Sequence, residues 1–188
     1  MPETHIAWSA LRWAGFEILH LRQEGQGVDL DGRVLAVLDG EPVRLRYDIR
    51  CDGAWRVRSA RVERDGPGAQ LALHTDGDGG WLGCEGEVVP ALQGCTDVDL
   101  AITPATNALP IRRLGLAPGE SREILAAYVE FPSLALKAVR QRYTRLASRG
   151  GRAAYRYESR TFRTEFEVDA QGLVVDYPDV WRREAPRP

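Results

Sequence analysis

Along this chain, apolar and polar residues alternate with a period of two over several long stretches. In Val43-Arg44-Leu45-Arg46-Tyr47-Asp48-Ile49-Arg50-Cys51 every odd position is apolar or aromatic and every even one is charged. Successive side chains of a strand point to opposite faces, so this pattern predicts an antiparallel strand with one face buried and one in water. Asp52-Gly53 then marks a hairpin turn, and Trp55-Arg56-Val57-Arg58 resumes the alternation. Phe162 to Asp169 repeats the pattern, and Gln171-Gly172 separates it from a strand over Leu173 to Tyr177. Further strands are predicted at 16–21, 33–38, 70–75, 98–102, 122–131 and 154–159, with Gly-rich turns at the spacing of a sandwich or barrel.

The segment Leu134 to Leu146 reads in two ways. As a helix it places Val139, Tyr143 and Leu146 on one stripe; as a strand it places Val139, Gln141 and Tyr143 on one face. The turn Arg149-Gly150-Gly151-Arg152 and the tyrosine-bearing strand beyond it favour the strand. There is no linker, low-complexity segment or strict repeat. The 188 residues therefore predict one all-β domain spanning 1–188 with a substantial core.

The balance of 25 basic and 27 acidic residues gives a net charge of -2, which supplies no field to draw in nucleic acid or an anionic membrane. Lys137 is the only lysine, and the arginines occupy the outward positions of the alternating strands, where they form a solvated face. Cys51, Cys84 and Cys95 are odd in number and lack C-x-x-C spacing, against a disulfide framework or zinc knuckle. The start Met-Pro-Glu-Thr-His-Ile-Ala-Trp reads without a leader, and no apolar run reaches membrane-spanning length. A cytoplasmic protein whose free thiols act as small core residues is expected.

Candidate chemistry concentrates between Gly94 and Leu114. Asp97 and Asp99 are two apart and share a strand face; they can divide acid and base roles, bind a cation, or be neutralised by Arg112 and Arg113. Thr103, Thr106 and Asn107 can satisfy loop amides or meet sugar hydroxyls. Tyr155, Tyr157 and Ser159 share a face opposite Arg156, Glu158 and Arg160, with Tyr143 on the neighbouring strand; this aromatic band suits a core or the wall of a lipid or sugar cleft. Asp76-Gly77-Asp78-Gly79-Gly80 resembles the start of a calcium loop, but Trp81 stands where that loop needs glycine, so a tight turn is expected. His5, His20 and His74 are isolated in sequence, and no metal site or cofactor is expected. No nucleophile elbow, P-loop or dinucleotide fingerprint occurs.

Several of these segments together resemble a bacterial family named for glycolipid binding. They are Gly94-Cys95-Thr96-Asp97-Val98-Asp99-Leu100, Thr103 through Leu114, Arg140-Gln141-Arg142-Tyr143-Thr144-Arg145-Leu146, Tyr155-Arg156-Tyr157-Glu158-Ser159, and Val168-Asp169 through Gly172-Leu173-Val174 to Tyr177-Pro178 and Trp181. The resemblance implies a long, strongly curved antiparallel sheet, rolled into a half-open β-barrel and similar in shape to bacterial lipoprotein carriers. The expectation is a non-enzymatic protein that holds the acyl chains of a lipid or glycolipid against a concave apolar sheet. Asp97, Asp99, Asn107, Arg112, Arg142 and Glu158 are then candidates for the polar groups, and Tyr143, Tyr155 and Tyr157 for the aromatic contacts. Two alternatives remain open: a carboxylate-dependent hydrolase of a glycoside or ester, and an interaction module that forms homo-oligomers through its sheet edges.

Overall fold

The computed structural model describes residues 3–66, 70–160 and 162–184; Met1 and Pro2, the start of the stretch read for a leader, lie outside them. The first half of the chain is a meander of β1 (Glu3–Ala10), β2 (Ala14–Glu24), β3 (Gly27–Leu38), β4 (Glu41–Asp52), β5 (Val57–Arg64), β6 (Gln70–Thr75) and β7 (Trp81–Leu82). The second half holds β8 (Asp97–Leu100), the helix α1 (Ala108–Leu114), β9 (Ser121–Val129), β10 (Leu136–Arg145), β11 (Ala153–Ser159), β12 (Phe162–Val168), β13 (Val174–Tyr177) and β14 (Trp181–Glu184). The fourteen strands of the described residues form one large, curved sheet that does not close, in the order β7-β6-β5-β4-β3-β2-β1-β14-β13-β12-β11-β10-β9-β8. Among the described residues no helix is long and apolar enough to cross a membrane.

The period-two stretches set which face turns inward. On β4, Leu45, Tyr47, Ile49 and Cys51 are buried, whereas Arg44, Arg46 and Arg50 are exposed. The outward arginines meet carboxylates on the convex face: Arg44 with Asp65, Arg46 with Asp31, Arg156 with Glu165. Such exposed pairs each contribute little, about 0–1 kcal/mol. The ambiguous 134–146 segment is the strand β10, with Val139, Gln141 and Tyr143 turned inward.

Three details differ from the sequence expectation. The Asp52-Gly53 turn is longer than a two-residue hairpin: the Asp52 carboxylate accepts from the Ala54 and Arg56 amides, and Trp55 takes a left-handed backbone (φ 62) with its side chain buried. Cys51 and Cys95 are buried, but Cys84 is exposed. The sheet also contains one parallel pair, β8 with β9.

That pair shapes the interior. A parallel neighbour must return to the same end of the sheet, which takes a crossover rather than a tight turn. Residues 101–120 make this crossover through a 3-10 turn at Ala105–Asn107 and α1, which Gly115 ends in a left-handed conformation (φ 54). Leu100, Ile102, Leu109 and Ile111 are buried within the sheet's concavity together with Trp8, Tyr47, Trp81 and Trp181. The concave face is thus filled along much of its length, and open space remains at one end.

Candidate functional site

The crossover supplies the polar floor of that space. Asp97 and Asp99 leave β8 on one face but find different partners. Asp97 is buried; it accepts hydrogen bonds from Arg113 Nε at 3.0 Å and Nη2 at 2.5 Å, and from Thr96 Oγ1 at 2.8 Å. Among the described residues no guanidinium pairs with Asp99, which accepts instead from Gln141 Nε2 at 2.6 Å and Thr106 Oγ1 at 3.1 Å. Burial pushes the Asp99 carboxyl above its ordinary value; the Gln141 and Thr106 bonds oppose the rise and the Asp97 charge adds to it. Arg112 joins neither aspartate. Its guanidinium lies 5.3 Å from the centre of the Trp55 ring and donates to the Ala170 carbonyl at 3.1 Å, tying α1 to two loops.

The threonines and asparagine serve the backbone and more. Thr103 Oγ1 accepts from the Ala105 amide at 2.9 Å while donating to Glu17 Oε1 at 2.6 Å. Asn107 Nδ2 donates to the Pro104 carbonyl at 3.1 Å, and its Oδ1 accepts from the Tyr143 hydroxyl at 3.1 Å. Glu17 is wholly buried and also accepts a 2.5 Å bond from Tyr47. Burial pushes its carboxyl up to about 7, against the lowering effect of the Thr103 and Tyr47 bonds. These bonds anchor the loop carrying Thr103 and Asn107 to β2, β4 and β10.

Above this floor is an open cleft of about 590 Å³. Asp99, Thr103, Pro104 and Asn107 form its base, and Trp13, Tyr128, Tyr157, Phe162, Tyr177 and Trp181 its aromatic wall. The rings support one another: Tyr157 meets Tyr143 edge-on at 5.2 Å, Phe162 stacks on Tyr177 at 6.3 Å, and Trp13 meets Trp181 edge-on at 5.4 Å. Burial raises the Tyr128, Tyr157 and Tyr177 phenols, so all three stay protonated donors at neutral pH. Arg12, Arg160 and the Glu130–Lys137 ion pair stand at the mouth.

Of the sequence candidates, Asp99, Thr103, Asn107 and Tyr157 meet at this cleft. Tyr143 is buried behind it, bonded to Asn107, and Asp97 is buried against Arg113. Tyr155 is a core residue whose hydroxyl accepts from Arg145 at 3.2 Å. Arg142 and Glu158 are a cross-strand pair turned away from the cleft, with Arg142 3.3 Å from Glu123. They line a separate, shallow groove with Arg140 and Arg160.

Most of the aromatic wall escaped sequence reasoning. The Phe162–Asp169 alternation puts Phe162 on the Phe166 face, but Trp13, Tyr177 and Trp181 lie at strand ends or turns, and only the curvature of the sheet brings the four together. Glu17 did carry a signal: it falls on the same strand face as Leu19 and Leu21, so a carboxylate occupies a row of core residues.

A protein-family model described as "Putative glycolipid-binding" matches residues 5–183. Among solved structures, a DUF1089 family protein from Pseudomonas aeruginosa is 39% identical, with a TM-score of 0.76 over 90% of this chain and 92% of that one. Comparison with curated proteins gives no match.

Proposed function

The chain belongs to the family described as "Putative glycolipid-binding", and from that premise we propose that it holds an amphiphile with a sugar-like head group, without chemical change, in the cleft over Asp99. The observation that carries this reading is the facing of an aromatic wall and a hydrogen-bonding floor across one cavity. A sugar presents C–H faces that pack on aromatic rings and hydroxyls that pair with carboxylate, amide and hydroxyl groups. The cavity of about 590 Å³ lies within the range of roughly 300–1,000 Å³ usual for small-molecule sites. Asp99, Thr103 and Asn107 fix the head group, while Tyr157 and Phe162 supply contact area. The crossover fills much of the concavity, so the acyl chains leave this cleft through its mouth, past Trp13 and Phe162.

Binding without turnover accords with the lining. Among the described residues of the cleft there is no histidine or cysteine, and its carboxylates are Asp99 and the lysine-paired Glu130. Trp13 and Trp181 allow a direct test, since their fluorescence reports occupancy. A glycolipid should change the emission saturably, and the matched lipid lacking the sugar should bind more weakly. Tyr157→Ala and Asp99→Asn should each weaken the titration, and mass spectrometry should recover the lipid intact. Cleavage of a glycoside or ester that disappears in Asp99→Asn would replace this reading with the hydrolase. An unresponsive cleft would remove it as the ligand site.

A further inference from the structure

On the convex face, remote from the cleft, the structure assembles a group that the sequence separates. His5 on β1 and His20 on β2 are directly opposed in the antiparallel register, and Glu3 follows His5 two positions back on the same face. Directly opposed residues on adjacent strands stand about 4.5–5.5 Å apart at Cβ, so pairing alone brings the two imidazoles together. Their rings are stacked with centroids 4.1 Å apart. The Glu3 carboxylate reaches to 3.6 Å from His20 Nε2, and one ligand atom from each of the three residues lies within 4.8 Å of the others. The two histidines are therefore isolated in sequence only.

We propose that Glu3, His5 and His20 form a binding site for a divalent transition-metal ion of the zinc type. Two imidazole nitrogens and a carboxylate are the donor set such ions favour, whereas calcium and magnesium take mostly oxygen ligands. Ligands about 2.0–2.2 Å from zinc at the tetrahedral angle stand roughly 3.4 Å apart, close to the separation of Glu3 and His20. His20 Nε2 gives a second, independent sign: it is buried and has no hydrogen-bond partner among the described residues. A buried ring nitrogen without a partner is destabilising, and a metal ion beside Glu3 satisfies it.

The neighbouring charges leave these three groups available. Asp31, opposite His20 on β3, is engaged by Arg33 at 2.9 Å and Arg46 at 3.5 Å. Arg22, opposite Glu3, lies 4.0 Å from Asp29. Three protein ligands leave one tetrahedral position for water or for a donor from another molecule.

The experiment is calorimetric titration of the full chain, without a histidine tag, with zinc chloride. One zinc per chain is expected, and His5→Ala and His20→Ala should each weaken it about 100-fold or more, at least the cost of losing a supporting partner of a metal ligand. Glu3→Gln should weaken it less, and Cys84→Ser, which removes the exposed thiol, should leave it unchanged. Cobalt(II) added to the unaltered chain should give a tetrahedral visible spectrum, a readout that needs no variant. Absence of zinc binding, binding that survives both histidine replacements, or binding lost in Cys84→Ser would overturn the site.

Discussion

The Tyr47 hydroxyl donates a 2.5 Å hydrogen bond to Glu17, a carboxyl wholly removed from solvent. Burial dominates its titration and raises it from 4.5 to about 7. The native state thus holds the proton more tightly than the unfolded chain does. The associated stability is fully present below the unfolded value and is lost as pH rises through the folded one. Chemical denaturation of the unaltered protein should therefore show falling stability between about pH 5 and pH 8, by up to about 3 kcal/mol from this group. Glu17→Gln should flatten the profile over that window. Identical slopes in the two proteins would show that Glu17 does not hold its proton.

Gly32 makes that bond possible. It lies opposite Tyr47 in the β3–β4 register, and a Cβ placed on it would stand 2.0 Å from Tyr47 Cζ and 2.3 Å from its hydroxyl. Gly32→Ala should cost about 1–3 kcal/mol by overpacking. Gly27→Ala on the same strand meets nothing closer than 3.5 Å and is the control. Replacing Tyr47 as well should remove most of the Gly32→Ala penalty, since contacting residues do not add independently. Full additivity of the two changes would contradict the clash.

The two arginines that follow each other on α1 should behave very differently. Arg113 forms the buried pair with Asp97, and removing one partner of such a pair costs about 3–5 kcal/mol. Asp97→Asn should accordingly lower the melting temperature while leaving cleft binding per folded molecule unchanged. Arg112→Ala removes a ring contact and one hydrogen bond to an exposed carbonyl, for a loss of about 1–2 kcal/mol. Equal effects of the two substitutions would deny Asp97 its structural role.

Strand parity made the architecture readable. The Val43–Cys51 alternation alone assigns Leu45, Tyr47 and Ile49 to the core, because a strand has only two faces. The helix at Ala108–Leu114 was not readable: seven residues are too few to display a 3.6 period, and Pro104 and Pro110 resemble loop punctuation. Asp99 stood out as a carboxylate paired in spacing with Asp97, but nothing in the spacing said that Arg113 would choose Asp97 alone. Tyr177 and Trp181 reach the cleft through the β13–β14 turn, a consequence of curvature that local pattern does not encode. His5 and His20 illustrate the same limit, since fifteen positions of sequence hide a register contact.

In the sheet order, every neighbouring pair joins consecutive strands except β1 with β14. That exception covers four residue pairs, Ala7 with Glu184 to Ala10 with Trp181, and Trp8 Nε1 reaches the Val174 carbonyl 166 positions away. Each half can zip between strands adjacent in sequence, through hairpins and the one 101–120 crossover, whereas the joint must close nearly the whole chain into a loop before it gains any contact. This connectivity predicts that the two halves form first and the seam closes last. Interactions formed after the rate-limiting barrier govern how fast the native state comes apart rather than how fast it forms. Substitutions at Trp8 and Trp181, the clasp of the molecule, should therefore shorten the lifetime of the closed protein more than they slow its closing.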